Sequence, residues 1–154
     1  MLNVVLIILH LVAINIWVGG MFFIIVVLAK VVGTLEVPEQ HIVWNAVLRR
    51  FFFWVWLAVM SLLGSGVGMI LYRFGGLTAA PAYVVVMTGF GVLMALVFFL
   101  IYFVYYQKFQ QQLLAGNIAA TRDQLRIIRL LGIVNMVLGL CVVIVIGAGP
   151  HFSW

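Results

Sequence analysis

Four long apolar runs, at residues 4–29, 51–72, 82–106 and 130–149, constrain the fold of this chain more than any other feature. A helix needs about 20 apolar residues to cross about 30 Å of hydrocarbon, and each run reaches that length. Of 154 residues, 68% are hydrophobic and 7% are charged, and a soluble domain of this size could not bury so much apolar surface. Transmembrane barrels consist of short alternating segments, which the sequence lacks. We therefore expect an all-α integral membrane protein, a single domain of four transmembrane helices in an antiparallel bundle.

The positive charges predict how this bundle is oriented. Lysine and arginine gather in short loops on the cytoplasmic side of a membrane. Seven of the eight basic residues lie in or beside the first and third loops, and only Arg73 lies beside the second. We therefore expect loops one and three in the cytoplasm, and both termini and loop two on the outer side, which is the periplasm in a bacterium. The net charge of +5 sits beside span ends, so it does not indicate a nucleic-acid partner.

His10 is the one ionisable side chain that lies well inside a predicted span. A polar group at bilayer depth costs free energy unless it has a partner, so such a residue is a functional candidate. A neutral imidazole is suited to binding a copper ion or the iron of haem b. The alternative is a histidine that only bonds to a neighbouring helix and fixes the packing. Trp17 follows seven residues later, so it shares a helix face with His10, and Gly19 and Gly20 allow close helix packing.

Other candidate ligands are predicted at the same end of the bundle as His10. Met69 and Met87 carry soft thioethers, which suit Cu(I), although methionines in apolar chains usually only pack. His151 could be a second axial or metal ligand, or a residue of the interfacial aromatic belt. Arg73 could pair with a haem propionate, or simply anchor the end of the second span. His41 is expected at the opposite surface of the membrane.

The remaining polar residues are predicted to have structural roles, and they give no support to several classes of activity. The three carboxylates lie outside the spans, so a carboxylate relay for protons or cations is not expected. The sequence has no phosphate-binding loop and no zinc-protease motif. Asn15 and Asn135 are predicted to form hydrogen bonds between helices. Thr121, with Gln124 three residues later, predicts a capping box at the start of a helix that continues into the fourth span.

Several short stretches, in order along the chain, resemble the CopD family of bacterial inner-membrane proteins, in particular its short four-helix members. The resembling residues are His10 with residues 17–23, residues 49–52 with 54–56, Gly66, residues 80–83 with Met87, and residues 128–129 with Asn135 and Gly139. This resemblance implies a multi-pass protein of the bacterial inner membrane that handles copper. A looser similarity links the early histidine, tryptophan and glycine to HemJ, a four-helix protein of haem synthesis. HemJ also has a lysine shortly before the histidine, which this chain lacks.

Three functional hypotheses remain open from the sequence. The first is copper binding, uptake or tolerance, with His10 as the central ligand and Met69 and Met87 as candidate partners. The second is a haem b protein, either a redox carrier or a haem-dependent enzyme, with His10 axial and His151 and Arg73 as cofactor-binding candidates. The third is an accessory or assembly subunit of a larger membrane complex, in which His10 is structural. The glycine-rich helix faces also fit a homodimer in the lipid bilayer.

Overall fold

The structure, a computed structural model, describes residues 1–148, so the predicted role of His151 lies outside the described residues. It consists of four long helices: α1 Leu2–Val32, α2 Val37–Phe74, α3 Ala82–Leu114 and α4 Ile118–Ala148. A short 3₁₀ turn, Leu77–Ala79, lies between α2 and α3. Residues 1–148 contain no strand. The predicted all-α fold is therefore confirmed, with four helices long and apolar enough to cross a membrane.

The helices extend beyond the apolar runs because polar residues form their end turns. Pro38 and Glu39 stand in the first turn of α2, as predicted, and Pro is tolerated there because its missing N–H would have no partner. From there α2 runs without a break into the second apolar run. The helix ends at Phe74, and Gly75 caps it with a left-handed φ of +73°, a conformation that favours glycine.

The start of α4 differs from the prediction. The side-chain oxygen of Asn117 accepts a hydrogen bond from the backbone N–H of Ala120 at 3.1 Å, so Asn117 caps the helix. The Thr121 hydroxyl donates to the Asn117 carbonyl at 2.7 Å from inside the helix. The predicted capping box of Thr121 and Gln124 is therefore wrong. Asn117 lies nearer to the unpaired backbone N–H groups of the first turn, so Asn117 acts as the helix cap and Thr121 does not.

Three π-helical turns interrupt the regular α-helix in α1 and α3. They span Asn15–Gly19 and Phe23–Leu28 in α1 and Ile101–Tyr106 in α3. A wider turn changes which face the following residues present, and such turns often occur near functional sites. The first of them begins just after the turn that carries His10.

The centre of the bundle is an aromatic cluster around Phe98 of α3. The rings of Trp17, Phe52 and Trp56 lie 6.0, 6.0 and 5.4 Å from the Phe98 ring, centroid to centroid. Trp17 and Trp56 approach Phe98 edge-on, an arrangement that aromatic pairs favour. Side chains of α1, α2 and α3 thus meet at one point, and this fixes how the helices pack.

Glycines bring α1 close to two other helices. A Cβ atom placed on Gly20 would lie 2.6 Å from the Phe51 ring of α2, so the predicted close approach at this glycine is confirmed. A Cβ on Gly139 of α4 would lie 2.5 Å from a methyl of Val18. Gly19 is different, since nothing in the described part of the chain lies within 4 Å of its position. Small residues allow such contacts where lipid gives no hydrophobic driving force.

Segments that flank the first and third loops meet at one end of the bundle. The Gln110 amide donates to the Asn45 side-chain oxygen at 3.1 Å and joins α3 to α2. The Arg129 guanidinium of α4 lies 5.8 Å from the centre of the Trp44 ring. His41 belongs to the same end and is buried, with 5% of its surface exposed; its expected position at the membrane surface opposite His10 remains a prediction. The prediction that this end faces the cytoplasm remains a prediction.

Candidate functional site

His10 of α1 is held by a serine of α2. Its Nδ1 lies 2.8 Å from the Ser65 hydroxyl oxygen, and Ser65 is 1% exposed. The Ser65 hydroxyl donates its own proton to the Ser61 carbonyl one turn earlier in α2. With that proton engaged, the Ser65 oxygen accepts, and Nδ1 of His10 must be the donor. In the neutral ring, a proton on Nδ1 leaves the lone pair on Nε2.

The His10 ring borders a cavity of about 170 Å³ that side chains of all four helices line, hereafter the His10 cavity. Next to Ser65, the ring passes close to Gly66, where an added Cβ atom would lie in ordinary van der Waals contact, 3.6 Å from His10 Cε1. Trp17 closes the cavity toward the centre of the bundle. His10 and Trp17 thus share a face, as their spacing predicts.

Two methionines of α3 line the same cavity. Met87 is half-buried, and Met94 is 3% exposed. Thr88 also borders it, and its hydroxyl donates to the Val84 carbonyl within α3. Residues 1–148 contain no group of three or more His, Cys, Asp or Glu side chains that could hold a metal. The ligands that this cavity offers are therefore one imidazole and two thioethers, a soft set that suits Cu(I).

The structure separates the predicted site residues into two groups. His10 and Met87 line one cavity, whereas Met69 is half-buried and is not among the described residues that line it. Arg73 is exposed at the last turn of α2, with its guanidinium 5.6 Å from the centre of the Phe74 ring. Whether any of these residues binds a ligand remains a prediction.

Sequence reasoning missed Ser65 and Met94 as site residues. A serine inside an apolar run resembles the small residues that let helices pack, and it was indistinguishable from its neighbours Gly64 and Gly66. The available signal was the polar group itself, because a hydroxyl at bilayer depth needs a partner. Met94 lies seven residues after Met87, two helical turns along the same face, and that spacing could have identified it.

The two asparagines inside the apolar runs do not form the predicted hydrogen bonds between helices. Asn15 is exposed, and its amide donates to the Leu11 carbonyl of its own helix at 2.8 Å. Asn135 is buried, and neither atom of its amide has a partner among residues 1–148. The prediction is wrong at both positions, since one amide is satisfied locally and the other faces a cavity.

Comparison with known proteins gives one match. The profile of the CopD family, described as copper resistance protein D, matches residues 45–148, which is more than half of the chain. No curated protein and no solved structure matches the chain. The matched region contains most of α2 and all of α3 and α4, so it includes Ser65, Met87 and Met94, while His10 lies before it.

Proposed function

The chain belongs to the CopD family, and on this premise we propose that this multi-pass membrane protein binds Cu(I) at His10 within the bilayer. The family name associates the chain with copper resistance, and His10 offers a suitable ligand atom. The proposed location is the inner membrane of a bacterium, with the basic end of the bundle toward the cytoplasm.

The observation that carries this proposal is the hydrogen bond between His10 and Ser65. A histidine that binds a metal usually donates its second ring N–H to a neighbouring group, which fixes the ring and the tautomer. Here Nδ1 is the donor to Ser65, so Nε2 is the atom left for a metal. A histidine that binds a metal also needs space beside its ring, and His10 lines the His10 cavity.

The thioethers and the low polarity of the site favour the monovalent ion. Met87 and Met94 are neutral ligands, so Cu(I) would bring a single positive charge into the His10 cavity. A divalent ion would bring two positive charges, and no carboxylate lies in any apolar run to offset them. Soft thioether and imidazole ligands select Cu(I) among the common metals.

The size of the His10 cavity also favours an ion over haem b. Pockets for drug-sized ligands occupy about 300–1,000 Å³, and a haem is larger than most such ligands. The cavity measures about 170 Å³. A haem bound to His10 would have to displace wall residues or lie partly among the lipids. Haem b is therefore the second hypothesis. The similarity to HemJ supports haem binding and gives no support to a copper site.

The test is a Cu(I) titration of the detergent-purified protein against a coloured Cu(I) chelator. We expect one Cu(I) per chain in the wild type. We expect an affinity at least ~100-fold lower in His10→Ala, because even residues that merely orient a ligand contribute 10–100-fold. His41→Ala is the matched control, since this histidine is at the basic end of the bundle; it should bind like the wild type.

The same preparations distinguish the alternatives. An intense Soret absorption that is present in the wild type and lost in His10→Ala would contradict the copper proposal and favour haem b as the ligand of His10. Equal Cu(I) binding in the wild type and His10→Ala would contradict the copper site at His10. A protein that binds neither copper nor haem, and that purifies with another membrane protein, would favour the accessory-subunit hypothesis. A homodimer would be recognised by its mass in detergent.

A further inference from the structure

A second cavity lies on the other side of Trp17 from His10. Its volume is about 50 Å³, and side chains of all four helices line it. Aromatic and aliphatic groups form most of its wall, including Met21, Trp44 and Phe98. Asn135 of α4 is the polar residue in its interior, so we refer to it as the Asn135 cavity.

Asn135 is buried without a hydrogen-bond partner. It is 1% exposed, and neither Oδ1 nor Nδ2 has a partner among residues 1–148. A primary amide has two N–H donors and an oxygen that accepts two bonds, and burial without partners is costly. The Asn15 amide avoids this cost by bonding to its own helix. The Asn135 amide needs a partner that residues 1–148 do not supply.

The volume of the cavity identifies the partner. A water molecule needs about 10–15 Å³ measured in this way, whereas a cavity that binds benzene measures about 150 Å³. The Asn135 cavity, at about 50 Å³, has room for about three to five water molecules and is too small for an aromatic ring such as a quinone head group. Arg129 also lines the cavity and supplies a second polar group. We infer that a cluster of bound water satisfies the Asn135 amide and links it to Arg129 at the basic end of the bundle.

The two cavities divide the interior of the bundle into two regions that meet at Trp17. The indole lines both the His10 cavity and the Asn135 cavity, and it packs edge-on against Phe98. Water would thus reach one side of the indole from the Arg129 end, while His10 lies on the other side. The water cluster does not depend on copper binding at His10, so either proposal could fail alone.

The experiment is radiolytic hydroxyl-radical labelling of the detergent-purified protein, read by mass spectrometry. X-rays generate radicals from bound water, and these oxidise a methionine beside it even where bulk solvent does not reach. Met21 is 5% exposed and lines the Asn135 cavity. We expect Met21 of the wild type to be oxidised at least about fivefold faster than Met21 of Asn135→Leu, whose apolar side chain would exclude the water.

Asn15→Leu is the matched control, because it makes the same replacement at an exposed position and should leave the oxidation rate of Met21 unchanged. Equal rates in the wild type and Asn135→Leu would overturn the inference. If Asn135→Leu fails to fold, the wild type alone decides by NMR. Nuclear Overhauser effects between long-lived water and the Asn135 side-chain amide support the cluster, and an assigned amide without them overturns it.

Discussion

Replacement of Ser65 by alanine tests the central interaction of the proposed copper site without removing its ligand. The alanine variant retains His10 but leaves Nδ1–H without the acceptor that lies 2.8 Å away in the wild type. The imidazole can then rotate, or move its proton to Nε2, and either change removes the lone pair from the cavity. Because residues that orient metal ligands contribute 10–100-fold in affinity, we expect Cu(I) binding to weaken by about that factor. This corresponds to roughly 1.4–2.7 kcal/mol.

The folded state should lose stability as well. A buried N–H without a partner costs about 1–3 kcal/mol, and His10 is half-buried, so the lower half of this range applies. A melting curve in detergent would measure this loss separately from copper affinity. The two effects need not be equal, because copper binding depends on Nε2 whereas the stability loss arises at Nδ1.

Ser61→Ala is the control for this experiment. Ser61 takes part through its backbone carbonyl, which accepts from the Ser65 hydroxyl and is retained in the variant. We expect the affinity of Ser61→Ala for Cu(I) to match that of the wild type. In a His10→Ala background, Ser65→Ala should produce no further loss. Wild-type affinity in Ser65→Ala, together with its loss in His10→Ala, would refute the argument that Ser65 orients the ligand.

Two further pairs of variants test the packing and the candidate thioether ligand. Gly139→Ala should be less stable than Gly64→Ala by about 1–3 kcal/mol in melting experiments. The new methyl at position 139 would lie 2.5 Å from a methyl of Val18, whereas no described atom lies near the position of Gly64. Equal stabilities of the two variants would contradict this close contact. Met87→Leu should weaken Cu(I) binding by about tenfold or more because it removes a soft ligand and retains the volume, whereas Met60→Leu, at a side chain that is 63% exposed, should bind like the wild type. Identical Cu(I) affinities for these two variants would exclude Met87 as a ligand.

The four helices could be predicted from the sequence because lipid imposes a simple requirement. Every backbone group in the hydrocarbon must be bonded within its own segment, so an apolar run of about 20 residues can hardly be anything but a helix. Helix ends do not obey this rule. In α3 the polar turns Gln107–Leu114 continue the helix beyond the apolar run, since a helix in water at the membrane surface can be polar. Their extent depends on local caps, as Asn117 shows at the start of α4.

The candidate site was only partly predictable, because hydropathy carries no information about how each helix is rotated. His10 could be identified because an ionisable residue in a span is unusual. Met69 and Met87 could not be told apart from their depth alone, and their positions relative to the His10 cavity depend on helix packing. The burial of His41 depends on the contact between segments that flank two loops, which a single sequence does not reveal. Two of the groups around His10, Ser65 and Gly66, are common residues that are informative only once their neighbours are known.

The position of Trp17 bears on what the proposed copper site could do. Trp17 is the one side chain among residues 1–148 that lines both the His10 cavity and the Asn135 cavity, so a route between the two cavities would have to pass its indole. The indole is 3% exposed and packs against Phe98, so it fills the space through which an ion would pass. Desolvation makes a bare ion costly in such an apolar constriction. If copper binds at His10 as proposed, this arrangement favours an ion that stays on the His10 side of Trp17, and passage across the membrane would require the packing of Trp17 against Phe98 to open.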